Sequence, residues 1–174
     1  AAIGSDDGVG GNPDASDEIA GWSASGGWDL SEGQFFALDQ IADPGDPMGI
    51  GWRPGASKIL VWFGDAPAHD PVCAAISGLA YDIDEASVTA KLVDAGITVV
   101  AIGTDTGLTD ALDDDPTLSA YDYDPPCAIG GTAGQATRIA EATGGSYAQN
   151  VSPEELADAI LAGIEAIKFD VTAT

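Results

Sequence analysis

The stretch Lys58-Ile59-Leu60-Val61-Trp62-Phe63-Gly64-Asp65 decides the fold of this chain. Residues 58–63 form an apolar run, broken only by the first side chain, and such a run is typical of a strand that is covered on both faces of a parallel sheet. The run stops at Gly64-Asp65, so a carboxylate follows the carboxyl end of the predicted strand. Open α/β sheets bind their ligands at that edge. The stretch therefore predicts a buried strand with a site at its end.

Further elements are predicted on both sides of this strand. Apolar, β-branched residues 97–102 predict a second strand, and a shorter one is expected at 146–149. We expect helices capped by Ser31 and by Asp84 (the latter stopped at Gly96), a helix over 133–143, and a helix that starts at Pro153 and runs to about Ile167. Helices that alternate with apolar strands favour an α/β fold with a mostly parallel central sheet. Only three strands are visible, so further strands lie either within residues 1–25 or outside this chain, and we favour the second alternative.

The charge balance limits the partners of the chain. Its 174 residues include 29 Asp and Glu against 5 Lys and Arg, a formal net charge of −24. Such a surface repels nucleic acid backbones and anionic lipids, and it attracts divalent cations. No apolar stretch approaches the roughly 20 residues that cross a bilayer, so membrane insertion is not expected. A solvated acidic shell without any specific partner is an equally good explanation of the charge.

The ends of the chain differ in composition from its middle. Residues 1–25 are rich in Gly, Asp and Ser and predict a loop-rich segment, residues 26–168 predict the folded domain, and residues 169–174 predict an extended exit toward a following domain. No signal peptide is visible at the start, and there is no initiator Met. We therefore expect the chain to be a processed or excised piece of a longer protein.

The two cysteines, Cys73 and Cys127, each follow a predicted strand. Both lie in loops at the same edge of the sheet, which favours a disulfide bond in an oxidising compartment. Two unpaired buried thiols are the alternative.

Carboxylates precede and follow the predicted strand. The segment Gly26-Gly27-Trp28-Asp29-Leu30-Ser31-Glu32-Gly33 supplies Glu32, and the strand end supplies Asp65. Two acids at one rim with almost no base nearby suggest a hard divalent cation, which prefers oxygen ligands. A catalytic pair of carboxylates is a weaker alternative, since nothing in the sequence supports a sugar cleft.

These residues, taken in order, resemble the von Willebrand factor A (vWA) fold. The resemblance is carried by Asp29-Leu30-Ser31-Glu32-Gly33, by Gly51-Trp52-Arg53, and by Ile59–Phe63 followed by Asp65-Ala66 and His69. The stretches 90–103 and 140–147 match later segments of that fold, so the similarity covers residues 26–168. It is greatest to the integrin β-subunit I-like branch and to bacterial secreted relatives. The resemblance implies a Rossmann-like, three-layer α/β fold that lacks its first strand or strands in this chain.

The resemblance also implies a metal-ion-dependent adhesion site that binds Mg²⁺, Mn²⁺ or Ca²⁺. Glu32 is then the acid of the second loop of that site and Asp65 the acid of its third loop, while Asp29 corresponds to a ligand of the neighbouring calcium site in the integrin branch. The family's first motif, Asp-x-Ser-x-Ser, is absent; the stretch 14–18 begins like it but lacks the last Ser. Either the cation site is incomplete, or the motif belongs to an upstream segment or to another chain.

The resemblance implies that this is an adhesion or protein-binding domain, not an enzyme, at the cell surface or outside the cell. Its partner would be a protein ligand or a neighbouring subunit of a surface assembly. The alternative is a metal-free structural module of a surface layer, filament or large secreted protein. A hydrolase comes third, because His69 is the only histidine and no Gly-x-Ser-x-Gly nucleophile motif occurs. In Asp122-Tyr123-Asp124 a solvated acidic loop is favoured over a separate calcium site.

Overall fold

The computed structural model describes residues 21, 23, 29–104, 110–120 and 125–167. Most of the segment 1–25, the exit 169–174, the stretch 14–18 and the loop Asp122-Tyr123-Asp124 therefore lie outside the described residues, and the expectations for them stay predictions.

A parallel sheet of three strands forms the centre of the described structure. Strand β1 (Lys58–Gly64) pairs with β2 (Ile97–Thr104), and β2 pairs with β3 (Ser146–Val151), in the order β1-β2-β3. The register aligns Trp62 with Ala101 and Gly64 with Gly103, so the ends of β1 and β2 lie side by side. The chain is thus an α/β protein with a parallel sheet, as the apolar runs predicted.

Five α-helices accompany the sheet in the described residues. They are α1 (Gln34–Ala42), α2 (Ala74–Ser77), α3 (Glu85–Asp94), α4 (Gln135–Ala142) and α5 (Leu156–Ala166), and short 3₁₀ turns occur at Ala111–Asp113 and Pro116–Leu118. Helix α3 begins where the sequence predicts, because the Asp84 side chain accepts a hydrogen bond from the Ser87 backbone N–H. It ends before Gly96, whose φ of 63° favours glycine.

The side chains of the strands alternate between two apolar layers. On one face, Trp62 and Val99 pack in a core to which α1 and α3 contribute Phe35 and Leu92. On the other face, Val100, Ile102 and Val151 pack against Leu156, Ala159 and Ile160 of α5. Helices therefore cover both faces of the sheet, which gives three layers.

Strand β1 is less covered than its sequence predicts. Phe63 is 51% exposed, although an apolar run of this kind predicts burial on both faces. Helix α5 lies over β2 and β3, and within the described residues β1 has a strand neighbour on one side only. The outer side of β1 is an edge of the sheet among these residues.

Two predicted helix starts are wrong. Ser31 does not cap α1: the helix begins at Gln34, and the Ser31 side chain is buried against Ser119 instead. Pro153 is not at the first position of α5, because residues 153–155 form a turn in which the Ser152 hydroxyl bonds to the Glu155 carboxylate at 2.7 Å. In both cases the hydroxyl group that the local pattern predicts to cap the helix bonds to another side chain instead: that of Ser31 to Ser119, and that of Ser152 to Glu155.

A search of the described residues found no helix with the length and apolar character that crossing a membrane requires.

The close packing between β2 and the turn before β3 gives a stability test. A methyl group on Gly145 would overlap the Val99 carbonyl oxygen, which belongs to the backbone and has little freedom to move. Gly145→Ala should therefore lower the free energy of unfolding by about 1–3 kcal/mol, as measured by urea denaturation. Gly33→Ala is the matched control, because nothing lies within 4 Å of the added carbon. Equal effects of the two substitutions would contradict this packing.

Candidate functional site

Two loops are joined by backbone hydrogen bonds at the carboxyl end of β1. The Glu32 N–H donates to the Pro67 carbonyl at 2.9 Å, and the His69 N–H donates to the Glu32 carbonyl at 2.9 Å. These bonds form a short parallel bridge between Glu32 and Ala68. The segment before α1 is thereby held beside the segment that follows β1, so Glu32 and Asp65 come to the same end of the sheet.

A third segment, which follows the turn Pro116–Leu118, closes the site from the other side. The Leu30 N–H donates to the Ser119 carbonyl at 3.1 Å, and the hydroxyl groups of Ser31 and Ser119 are 2.7 Å apart. Both serines are buried. Since these contacts join residues almost ninety positions apart in the sequence, no local pattern predicts them.

Gln135, the first residue of α4, connects the site to the helix layer. Its side chain is fully buried. The amide oxygen accepts a hydrogen bond from the Ala68 N–H at 3.0 Å, and the amide nitrogen donates to the Asp70 carboxylate at 3.4 Å. Sequence reasoning missed this residue. A glutamine at the start of a helix commonly lies on an exposed face, so the sequence does not distinguish this one. Its structural role is evident only from its burial in the folded chain.

The three carboxylates identified from the sequence influence one another. Partial burial raises the pKa of Glu32, and the negative charges of Asp65 and Asp29 raise it further. Glu32 and Asp65 are exposed, while Asp29 is half-buried. The site is therefore a place where negative charge is concentrated at the carboxyl end of β1.

As a metal centre, this arrangement is incomplete in the described residues. No group of three or more His, Cys, Asp or Glu side chains in the described ranges is placed to hold a metal ion. A hard cation takes about six to eight oxygen ligands, and water molecules supply part of them. The described carboxylates thus fit part of such a ligand set, and the role of Asp29, Glu32 and Asp65 as metal ligands stays a prediction.

Asp29 contacts the only histidine of the chain. The His69 Nε2 atom lies 3.3 Å from the Asp29 carboxylate, and His69 is buried. Burial lowers the pKa of His69, and the neighbouring Asp29 opposes that change. His69 therefore acts as a loop residue that orients Asp29 at the strand end.

A disulfide bond joins Cys73 to Cys127, with 5.8 Å between their Cα atoms. The bond packs with Ala120 and Ile129 in a small apolar cluster of its own. It links the loop after β1 to the loop before α4. Both loops carry residues of the site, so the bond restrains the distance between these two loops.

The tryptophans do not form a single group around this site. Trp62 is buried in the main core. Trp52, which is near the candidate acids in the sequence, packs at the opposite end of the sheet, close to the starts of β1 and β2. Trp22 and Trp28 lie outside the described residues.

Comparison with protein-family models found none that matches this chain, and a search of curated proteins found no significant match.

The raised pKa of Glu32, caused first by burial and then by the charges of Asp65 and Asp29, gives a pH-dependent prediction. A carboxyl group whose pKa is raised by folding destabilises the native state as the pH rises above the ordinary value of 4.5. Glu32→Gln should therefore raise the melting temperature at pH 7 and leave it unchanged near pH 3. Thermal unfolding in the presence of a chelator, compared with Asp158→Asn on the exposed side of α5, measures this difference. A gain that persists at pH 3 would contradict the electrostatic cause.

The disulfide bond gives a second prediction. Cysteines separated by 54 positions close a long loop, and in the chain-entropy model such a bond stabilises the folded state by about 4 kcal/mol. Alkylation of the unreduced, denatured protein should label no thiol by intact mass, and Cys73→Ser/Cys127→Ser should unfold at a lower urea concentration. Two labelled thiols in the wild type would contradict the bond.

Proposed function

We propose that this chain is a vWA-like domain that binds another protein outside the cell or at the cell surface, with a divalent cation at the carboxyl end of β1. The observation that carries the proposal is the meeting of Glu32, Asp65 and Asp29 at that end, where burial and then the two acidic neighbours raise the pKa of Glu32. Like charges that repel one another are stabilised by a cation. The partner would be a protein ligand or a neighbouring subunit of a surface assembly.

The finer vWA assignment is supported by the position of the acids and by the edge of the sheet. Asp65 follows the end of β1, and Glu32 is held beside it by the bridge to Ala68. The exposure of Phe63 and the single strand neighbour of β1 in the described residues are consistent with a sheet that continues beyond β1. We propose that the strand carrying the Asp-x-Ser-x-Ser motif belongs there and lies outside this sequence.

In this proposal Glu32 and Asp65 hold the cation directly or through water, and Asp29 supports them. The cation would supply a positive charge with an open coordination position for an acidic group of the partner. The protein's own contribution is to fix the two loops, through the Glu32–Ala68 bridge and the buried Gln135 amide. His69 has no catalytic role in this proposal, since its side chain is buried against Asp29.

A metal-free structural module is the second candidate. It is favoured by the lack of a group of three metal-ligating side chains within the described ranges. The disulfide bond and the acidic composition suit an exposed, soluble module equally well. The two candidates differ in one respect, which is whether the chain takes up a cation at Glu32 and Asp65.

Calorimetric titration with Mg²⁺, Mn²⁺ and Ca²⁺ separates them. The wild type should bind one ion at submillimolar to millimolar concentration, and Asp65→Asn should weaken that binding by about tenfold or more, because affinity depends on the number of charged ligands. Asp158→Asn is the matched control, since it removes one exposed carboxylate of the same type from α5, which packs on the other face of the sheet, and it should change the affinity less than twofold.

Absence of binding at millimolar concentrations of all three ions would contradict the cation proposal and leave the structural module. Equal weakening by Asp65→Asn and Asp158→Asn would show diffuse attraction of ions to the acidic surface, and it would contradict a site at β1.

A further inference from the structure

A cavity of about 650 Å³ lies at the amino ends of β1 and β2, opposite the acidic site. It is bounded by the starts of both strands, the carboxyl ends of α1 and α3, and the connection that precedes β1. Binding pockets for small ligands have about this volume. Its lining includes Trp52, Asp43, Asp94, Lys58, Lys91 and Ile97.

One wall of the cavity is apolar and aromatic. Trp52 is half-buried, and its indole N–H donates to the Ile41 carbonyl at 3.4 Å. This bond orients the indole so that its ring lines the cavity together with Ile41 and Ile97. The face of an indole ring attracts cations as well as apolar groups.

Two helices end at the cavity, and an acidic residue lies at each end. The carboxyl end of a helix carries about half a negative charge, so cations are favoured there and carboxylates are disfavoured. Here Asp43 follows the last residue of α1, and Asp94 is the last residue of α3. The last turn of α1 contains no basic residue. The last turn of α3 contains one basic residue, Lys91.

The basic side chains of the cavity are already engaged. The Lys91 ammonium lies 2.8 Å from the Asp39 carboxylate and 3.3 Å from that of Asp43, and it also bonds to the Tyr81 hydroxyl. Lys58 donates to the Ala95 carbonyl at the end of α3, at 2.8 Å. Both ammonium groups therefore compensate charge that the fold has placed here, which leaves little attraction for an anion.

Asp94 is the acid of this cavity that stays available. Asp43 accepts hydrogen bonds from Gly45 and Lys91, and Asp46 accepts them from the backbone of Ile50 and Gly51. Within the ranges that the structure describes, no hydrogen bond or ion pair engages the Asp94 carboxylate. Its carboxylate lies at the rim of an apolar, aromatic cavity.

We infer that this cavity binds a small organic cation, namely an ammonium group on a short apolar stem. The ammonium lies at Asp94 and the carboxyl ends of the two helices, and the stem lies against Trp52 and Ile97. The site is independent of the proposed cation site, which lies at the other end of the strands and takes a metal ion instead. The net charge of −24 attracts such a ligand from a distance.

Three probes of one shape test the charge preference: n-hexylammonium, n-hexanol and hexanoate. Titration followed by NMR at low salt, on the full chain, should show millimolar binding of hexylammonium and at least about tenfold weaker binding of the other two, because only the cation gains the Coulomb energy at Asp94. Hexanoate binding as tightly as hexylammonium would overturn the inference.

Asp94→Asn tests the position of the ammonium. It should weaken hexylammonium binding by about fivefold, whereas the matched control Asp158→Asn on α5 should change it by less than about twofold. Lys58→Met should strengthen binding about threefold, since it removes a like charge from the cavity. Equal effects of Asp94→Asn and Asp158→Asn would overturn the inference, and unchanged melting curves verify that both variants are folded.

The same titration with Nα-acetyl-lysine methylamide distinguishes the sources of the ammonium. Affinity equal to that of hexylammonium assigns the cavity to a lysine side chain of another protein, and markedly weaker affinity assigns it to a free amine.

Discussion

The candidate site depends on one backbone contact, the short parallel bridge between Glu32 and Ala68. Its two hydrogen bonds bring the segment before α1 beside the segment after β1, although more than thirty residues separate them in the chain. The buried Gln135 amide holds the second segment from the side of α4. The Gln34 side chain, which donates to the Ala66 carbonyl at 3.1 Å, joins the same two segments, so the bridge and this bond together keep Glu32 near Asp65.

The bridge concentrates charge that the fold does not neutralise locally. Asp29 meets a buried histidine, and burial, which lowers the pKa of His69, weakens the compensation that this neighbour offers. Lys91, by contrast, lies at the other end of the sheet, where it joins Asp39 and Asp43. The two ends of the sheet thus differ in the chemistry of their side chains. The carboxyl end exposes acids that a metal ion would stabilise, and the amino end has an aromatic cavity between two helix ends.

The sequence predicted the central elements because their signals are local. The apolar runs gave β1 and β2, and Asp84 and Gly96 gave the start and end of α3, since capping depends on residues within one turn. The failures come from distant contacts. Ser31 has the chemistry of a helix cap, but Ser119 binds it. Gln135 carries no signal of its burial, and the place of Trp52 depends on how the connection before β1 returns to the sheet. The exposure of Phe63 depends on what lies beyond β1.

The central claim is that Glu32 and Asp65 interact directly through charge and share one cation. A double-mutant cycle on the free energy of unfolding, with Glu32→Gln, Asp65→Asn and the double variant, tests it in chelator and again in excess Mg²⁺. In chelator each single substitution should raise the free energy of unfolding. The increase in the double variant should be smaller than the sum of the two single increases, because either substitution already removes the repulsion. In Mg²⁺ the coupling energy should reverse its sign, because either substitution then removes a ligand of the same ion. Strict additivity in both conditions would contradict the account.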